Sequence, residues 1–227
     1  MRVVVTGANR GIGLELVRQL VARGDSVEAG ARDPAQANEL RALPCRVHPL
    51  DVCDARSVAA FAAAIEGGVD LVINNAGFYG GGTQSLRQMA EDLTLGDVAH
   101  TFDINALGAL RVSLALLPHV RRGAGKKLVH ITSGMGSIAD NTSGGFYAYR
   151  MSKAALNMMS RSLAVDLRGE KIVSLVINPG WVQTDMGGAS APTPVTDSVH
   201  AILQRIDEAT LEHSGEFLNW KGNRYPW

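Results

Sequence analysis

Tyr149 and Lys153 stand four residues apart in the run Tyr-Arg-Met-Ser-Lys. That is just over one helical turn, so both side chains share one face of a helix. An ammonium beside a phenol favours the phenolate. It would move a group that ordinarily titrates near pH ~10 toward the range where a general acid works best. The pair reads as a tuned proton donor, provided something near it needs a proton. Tyr147 offers no such pairing, because the residue four further on is Met151. A hydroxyl to hold a substrate oxygen is available at Ser133, which leaves the apolar run Leu128-Val129-His130-Ile131-Thr132; Thr132 and Ser137 are alternatives.

The chain opens with a β-branched run, Val3-Val4-Val5-Thr6, that reads as a buried parallel strand. Gly7-Ala8-Asn9-Arg10-Gly11-Ile12-Gly13 follows, and then an amphipathic stretch with Leu16, Val17 and Leu20 on one face. Glycines between a strand and a helix permit a tight turn and close backbone approach, so that a pyrophosphate can sit on the helix N-terminus. The spacing is Gly-x-x-x-Gly-x-Gly rather than the commoner Gly-x-Gly-x-x-Gly. The second strand ends Ala31-Arg32, where the adenosine ribose should lie. Arginine there suits a 2′-phosphate, whereas a carboxylate suits a free 2′-hydroxyl. With Arg10 as a second guanidinium, the expectation is NADP(H) in preference to NAD(H). Asp33 is the acidic alternative if the strand runs one residue longer.

These residues match a known family. From first strand to last, the chain resembles the short-chain dehydrogenase/reductases. The matching motifs are Thr6 to Gly13, Asp51-Val52, Asn74-Asn75-Ala76-Gly77, Asn105, Ser133, Tyr149-x-x-x-Lys153 and Pro179-Gly180-Trp181-Val182-Gln183-Thr184. The stretches Tyr149 to Met158 and Pro179 to Gly188, with the ending Ser214-Gly215-Glu216-Phe217 through Pro226-Trp227, are similar to the C-factor (C-signal) subgroup, itself similar to the sniffer-type carbonyl reductases. The resemblance implies Tyr149 as the acid or base at the carbonyl oxygen. Lys153 would lower its pKa and bind the nicotinamide ribose, Ser133 would polarise the substrate oxygen, and Asn105 would anchor a relay water. It also implies that Asp51 and Val52 meet the adenine ring and that Asn75, Ala76 and Gly77 line the adenine-ribose side. Pro179, Gly180, Val182 and Thr184 would reach the nicotinamide and phosphates. Hydride transfer belongs to the cofactor, so the protein contributes position and electrostatics. One departure is the segment from Ser133 to Tyr149, lengthened by Ala139 to Phe146, which bears on the pocket's shape and on subunit contacts.

Elements that could position these groups alternate throughout. Strands are expected near 2–6, 26–31, 45–50, 69–74, 127–132, 171–177 and 215–218, and helices near 12–23, 35–41, 55–66, 95–119, 148–168 and 195–208. This is the pattern of a Rossmann-type, doubly wound parallel sheet with helices on both faces. At 227 residues a single α/β domain is expected, with the nucleotide held by about residues 1–130 and catalysis and substrate by 131–227. The loops 78–92 and 185–194 follow carboxyl ends of strands, where such sheets bind ligands. Phe78, Tyr79, Trp181 and Met186 could line an apolar pocket there.

Lysines plus arginines number 22, as do aspartates plus glutamates, so no charge imbalance points to nucleic acid or an anionic membrane. Cys45 and Cys53 read as reduced thiols, and the six histidines show no metal-ligand spacing. The chain enters a strand at once, so no signal peptide is expected, and no apolar run approaches the ~20 residues that span a bilayer. A cytoplasmic enzyme is expected, acting on small carbonyl or alcohol compounds as a homodimer or homotetramer. The alternative is a C-factor-like signalling protein that binds nucleotide and turns over incidentally. A hydrolase reading of Ser133 lacks the Gly-x-Ser-x-Gly elbow and a histidine partner.

Overall fold

The computed structural model describes residues 1–80 and 93–227. Its seven strands are β1 (Arg2–Thr6), β2 (Ser26–Ala31), β3 (Arg46–Pro49), β4 (Leu71–Asn74), β5 (Lys127–Ile131), β6 (Val173–Asn178) and β7 (Phe217–Asn219). All join one parallel sheet in the order β3-β2-β1-β4-β5-β6-β7. The helices are α1 (Gly11–Ala22), α2 (Asn38–Arg41), α3 (Ala55–Ala63), α4 (Leu95–Phe102), α5 (Gly108–Arg122), α6 (Tyr147–Asp166) and α7 (Val195–Glu208). The expected Rossmann-type α/β architecture is the observed one. Part of the loop 78–92, residues 81–92, lies outside the described residues.

The pleat of the sheet explains why its strands are apolar on both faces. Val3 and Val5 of β1, with Leu71 and Ile73 of β4, pack into one core with Leu16, Leu20, Ile202 and Ile206 of α1 and α7. Val4 and Val72, one residue out of phase, enter the opposite core with Phe61, Val112 and Leu116 of α3 and α5. Each fully buried leucine or isoleucine contributes ~2 kcal/mol relative to exposure, so period-two patterning holds helices on both sides.

Two elements differ from the sequence reading for identifiable reasons. The expected helix 35–41 is split into a 3₁₀ turn, Pro34–Gln36, and the single turn α2. Asp33 caps the 3₁₀ turn by accepting from Ala35 N at 3.0 Å. The expected helix 95–119 is interrupted by a π segment, Asp103–Leu107, before α5 continues to Arg122. Such bulges add one residue to a turn and redirect the side chains they carry; this one carries Asn105.

The chain starts at β1 in the middle of the sheet, runs outward to β3, then crosses to β4 and continues to β7. Connections after β1 and after β4 therefore leave in opposite directions, opening a crevice at the carboxyl edge between them.

Candidate active site

At that crevice the turn after β1 is tied to the segment after β4. Gly7 has φ +62, and a Cβ there would lie 2.7 Å from Ala76 Cα; one on Gly13 would lie 2.2 Å from the Gly7 oxygen. Larger residues would separate the two segments. Thr6 Oγ1 accepts from the backbone N–H groups of Asn75 and Ala76 at 3.1 and 3.0 Å. Asn75 Nδ2 donates to the carbonyls of Thr6 and Gly7 at 3.0 and 3.1 Å. Asn74 instead points into the core, donating to Ser113 Oγ at 2.9 Å.

The N-terminus of α1 carries no capping side chain: Arg10, at the N-cap, makes no cap hydrogen bond, and the first turn holds no acidic residue. Its orphan N–H groups suit an anion. Asn9 is exposed and Ile12 packs against the core beneath the turn. The strand β2 ends at Ala31, so Arg32 is the first residue beyond it; it is exposed and makes no hydrogen bond or ion pair with described residues. Asp33 is committed to its turn, accepting also from Gln36 Nε2 at 2.7 Å. Arg10 is not free in the same way, since its Nη1 donates to Asp185 at 3.1 Å across the mouth of the crevice. Thr184 is close to the glycine turn, 3.4 Å from where a Cβ on Gly11 would stand. Val182 is buried and bridges to Thr193, while Pro179 accepts from Ser198 Oγ at 2.8 Å, and Gly180 N donates to Asn178 Oδ1 at 3.0 Å. Asp51 accepts from Cys53 N at 2.9 Å. Val52 is buried, facing the Gly108 position of α5. A cradle of uncapped amides at the N-terminus of α1 fits the pyrophosphate of a dinucleotide.

Ser133, Tyr149, Lys153 and Asn105 come together from the end of β5, from α6 and from the π segment Asp103–Leu107. The Ser133 hydroxyl is near enough to the Tyr149 phenol to favour its ionisation and accepts from Met135 N at 3.1 Å. The alternatives are occupied elsewhere: Thr132 Oγ1 donates to Asn157 Oδ1 at 2.6 Å, and Ser137 Oγ to Trp227 O at 2.9 Å. Tyr147 faces solvent. Lys153 Nζ donates to the Ile131 carbonyl at 2.8 Å and lies 5.7 Å from the centroid of the Tyr149 ring. Asn105 Nδ2 donates to Ser152 Oγ at 2.9 Å and to Phe78 O at 2.8 Å, while its Oδ1 accepts from Phe78 N at 2.7 Å. A Cβ on Gly77 would sit 3.5 Å from that Oδ1 and 3.7 Å from Lys153 Nζ.

Electrostatics correct one expectation. Lys153 was expected to lower the Tyr149 phenol, yet burial raises it well above its ordinary value; the Ser133 hydroxyl opposes this and Tyr79 adds to it. Burial also lowers Lys153 itself, to about 8. With the ammonium turned to a backbone carbonyl, desolvation outweighs the neighbouring charge. His130, enclosed beneath the site, is pushed down to about 3 by burial and by the Lys153 charge. It is held neutral between Asn74 Nδ2 at 3.1 Å and Ser174 Oγ at 3.4 Å.

Of the four apolar residues expected at the pocket, Tyr79 reaches it. Its ring stands 4.7 Å from that of Tyr149, edge to face, and 6.0 Å from that of Phe146. Phe78 turns to His100 at 5.5 Å, and Trp181 and Met186 are exposed. Phe146 is a non-glycine residue at φ +55, following Gly144 and Gly145 at +63 and +65; its strain turns the lengthened loop sharply into α6. The sequence reading missed this role, although the paired glycines before an aromatic were the signal. It also gave Thr6 no task, though a hydroxyl ending β1 is well placed to bind the next strand's backbone.

Among the described residues no group of three or more His, Cys, Asp or Glu side chains could hold a metal, and Cys45 and Cys53 are free thiols. No described helix is long and apolar enough to cross a membrane.

Comparison with known proteins agrees with this geometry. The short chain dehydrogenase family model matches residues 1–194, and the chain belongs to the short-chain dehydrogenase/reductase family of oxidoreductases. Within it the chain is of the C-factor and sniffer type. It is 52% identical over 169 residues to the C-signal of Myxococcus xanthus, covering 74% of this chain and 99% of that protein. It is 36% identical over 232 residues to a 1-hydroxy-2-glutathionyl-2-methyl-3-butene dehydrogenase of Rhodococcus sp. (strain AD45), covering 99% of each. Among solved structures it is similar to the carbonyl reductase Sniffer of D. melanogaster, with TM-score 0.94 and 31% identity, covering 100% of this chain and 99% of that one. An NADPH-bound carbonyl reductase from chicken fatty liver gives TM-score 0.92 and 35% identity, covering 100% and 98%.

Proposed function

We propose that the chain is an NADP(H)-dependent carbonyl reductase or alcohol dehydrogenase for small substrates, with Tyr149 as its general acid and base. The observation that carries this reading is the buried Tyr149 phenol with the Lys153 ammonium enclosed 5.7 Å from its ring centroid and the Ser133 hydroxyl near enough to influence its ionisation. When bound, the nicotinamide supplies the hydride. Ser133 Oγ and Tyr149 Oη together hold the substrate oxygen. Tyr149, kept neutral by burial, gives its proton to that oxygen in reduction and takes it back in oxidation. Lys153 would bind the nicotinamide ribose and return the proton to Tyr149 from the Asn105 side of the site. Arg32, free beyond β2, and Arg10 read the 2′-phosphate. Asp51 and Val52 serve the adenine, Gly7, Asn9, Gly11, Ile12 and Gly13 the pyrophosphate, Asn75, Ala76 and Gly77 the ribose side, and Pro179, Gly180, Val182 and Thr184 the nicotinamide.

The whole chain acts as one domain in this proposal, with residues 1–130 serving the nucleotide and 131–227 the substrate, in the cytoplasm. Leu107 at the end of the π segment and Leu114 on α5, and Met151, Met158 and Val165 on α6, are exposed at seven-residue spacing. That apolar face supports pairing of subunits into a homodimer or homotetramer.

Titration with NADPH and NADH, followed by assay of each against a panel of aldehydes and ketones, tests the reading. We expect tighter NADPH binding and turnover that falls ~10²–10⁴-fold in Tyr149→Phe with cofactor binding kept. NADH preference would shift the ribose reading to Asp33. The identity to C-signal favours one second reading, a developmental signal. A biological effect that survives Tyr149→Phe would support it.

A further inference from the structure

The loop joining Ser133 to Tyr149 is exposed from Ile138 to Gly144, and the segment after β7 fastens it. Beyond Asn219 the chain turns and runs back antiparallel to β7, with Leu218 bridged to Arg224 and Tyr225 N donating to Phe217 O at 2.7 Å. The rings of Tyr225 and Trp227 lie 5.0 and 5.4 Å from that of Phe217. From this base the Trp227 carbonyl oxygen accepts from Ile138 N and Ala139 N, both at 2.8 Å, and from Ser137 Oγ at 2.9 Å. The Tyr225 hydroxyl donates to Asp140 Oδ2 at 2.6 Å. The same hydroxyl lies 2.7 Å from where a Cβ on Gly134 would stand, so it is pressed against the residue that follows Ser133.

We propose that Tyr225 and Trp227 are positioning residues for the reaction, a strap that holds the loop after β5 so that the Ser133 hydroxyl meets the Tyr149 phenol. The inference rests on the catalytic reading of Ser133 and Tyr149 given above. In this proposal neither strap residue contacts the substrate or cofactor; both act through residues 134–140, by backbone and by the side chains of Ser137 and Asp140. The hydrogen bond to Asp140 pushes the Tyr225 phenol up to about 12, so the strap keeps its donor throughout the working pH range.

The test is steady-state turnover of a carbonyl substrate by Tyr225→Phe, Asp140→Ala and the double variant, with NADPH binding and melting temperature measured on each. A small displacement of a positioned group is costly to rate. We expect kcat to fall about tenfold in each single variant, with KM, NADPH affinity and melting temperature little changed. The double variant should be no slower than the slower single, because both changes break one contact. Unchanged kcat in both singles, or losses that track weakened NADPH binding and a lowered melting temperature, would overturn the strap. Ser133→Ala and Tyr149→Phe run alongside separate the two readings. If these abolish turnover while the strap variants keep it, the strap alone fails; if they too keep it, the catalytic reading fails.

Discussion

A lysine enclosed beside a tyrosine, with one backbone carbonyl for a partner, is costly to the folded chain. Lys153 is 4% exposed, and burial lowers it to about 8 from an ordinary value of 10.5. Below pH 8 it is charged in both folded and unfolded states, and the folded state carries the full desolvation cost. As pH rises from 8 to 10.5 the folded form loses its proton first, so stability increases through that window. Lys153→Met should therefore abolish turnover yet raise the melting temperature by a few degrees at pH 7. Thermal melts of both proteins across pH should show that advantage shrinking between pH 8 and 10.5. A variant less stable at pH 7 would mean that the Ile131 contact outweighs desolvation.

Between elements, the contact that bears on cofactor choice is the pair of Arg10, in the turn before α1, with Asp185, in the loop after β6. Both side chains are more than half exposed, so the pair itself stabilises little. It does engage the Arg10 guanidinium with a carboxylate, which would compete with any 2′-phosphate that Arg10 reads. Asp185→Asn should release Arg10 and tighten NADPH binding about threefold, leaving NADH binding unchanged. Calorimetric titration with both nucleotides checks this, and equal effects on the two would remove Arg10 from phosphate recognition. The π segment Asp103–Leu107 works at the same scale: it turns Asn105 to clamp Phe78, whose neighbour Tyr79 stands against Tyr149.

Across the whole molecule, one buried charge cluster joins the outer half of the sheet. Glu28 of β2 is 1% exposed and accepts from Arg2 Nη2 at 2.7 Å and Arg46 Nη1 at 3.0 Å, and meets His48 Nε2 at 2.7 Å. Burial alone would raise its carboxyl, but the hydrogen bonds from His48 and Arg2 outweigh that and hold it below its ordinary 4.5. A depressed carboxyl stabilises the fold above its unfolded value, and that contribution is lost as pH falls through the folded one. Glu28→Gln leaves cations facing one another and should cost about 3 kcal/mol at pH 7. Denaturant titrations should find the gap between wild type and variant closing below pH 4.5; a gap independent of pH would assign the loss to packing instead.

The β-branched run of β1, the glycine spacing, the Tyr149-to-Lys153 interval and the β/α alternation were enough to establish the parallel sheet and to bring Ser133, Tyr149 and Lys153 to one edge. Those properties are local: period-two and helical patterns decide which face a residue takes wherever they occur. The tertiary structure decided what depends on residues far apart in the chain. Burial, with the Tyr79 ring beside it, set the direction of the Tyr149 shift, against the neighbouring charge that sequence alone displays. Asp33 went to a capping turn and Arg10 to Asp185 because of partners no local pattern names. The π segment at Asn105 and the left-handed Phe146 arise where packing overrides helix and loop preference, and desolvation and packing sum over the whole fold rather than over a stretch of chain.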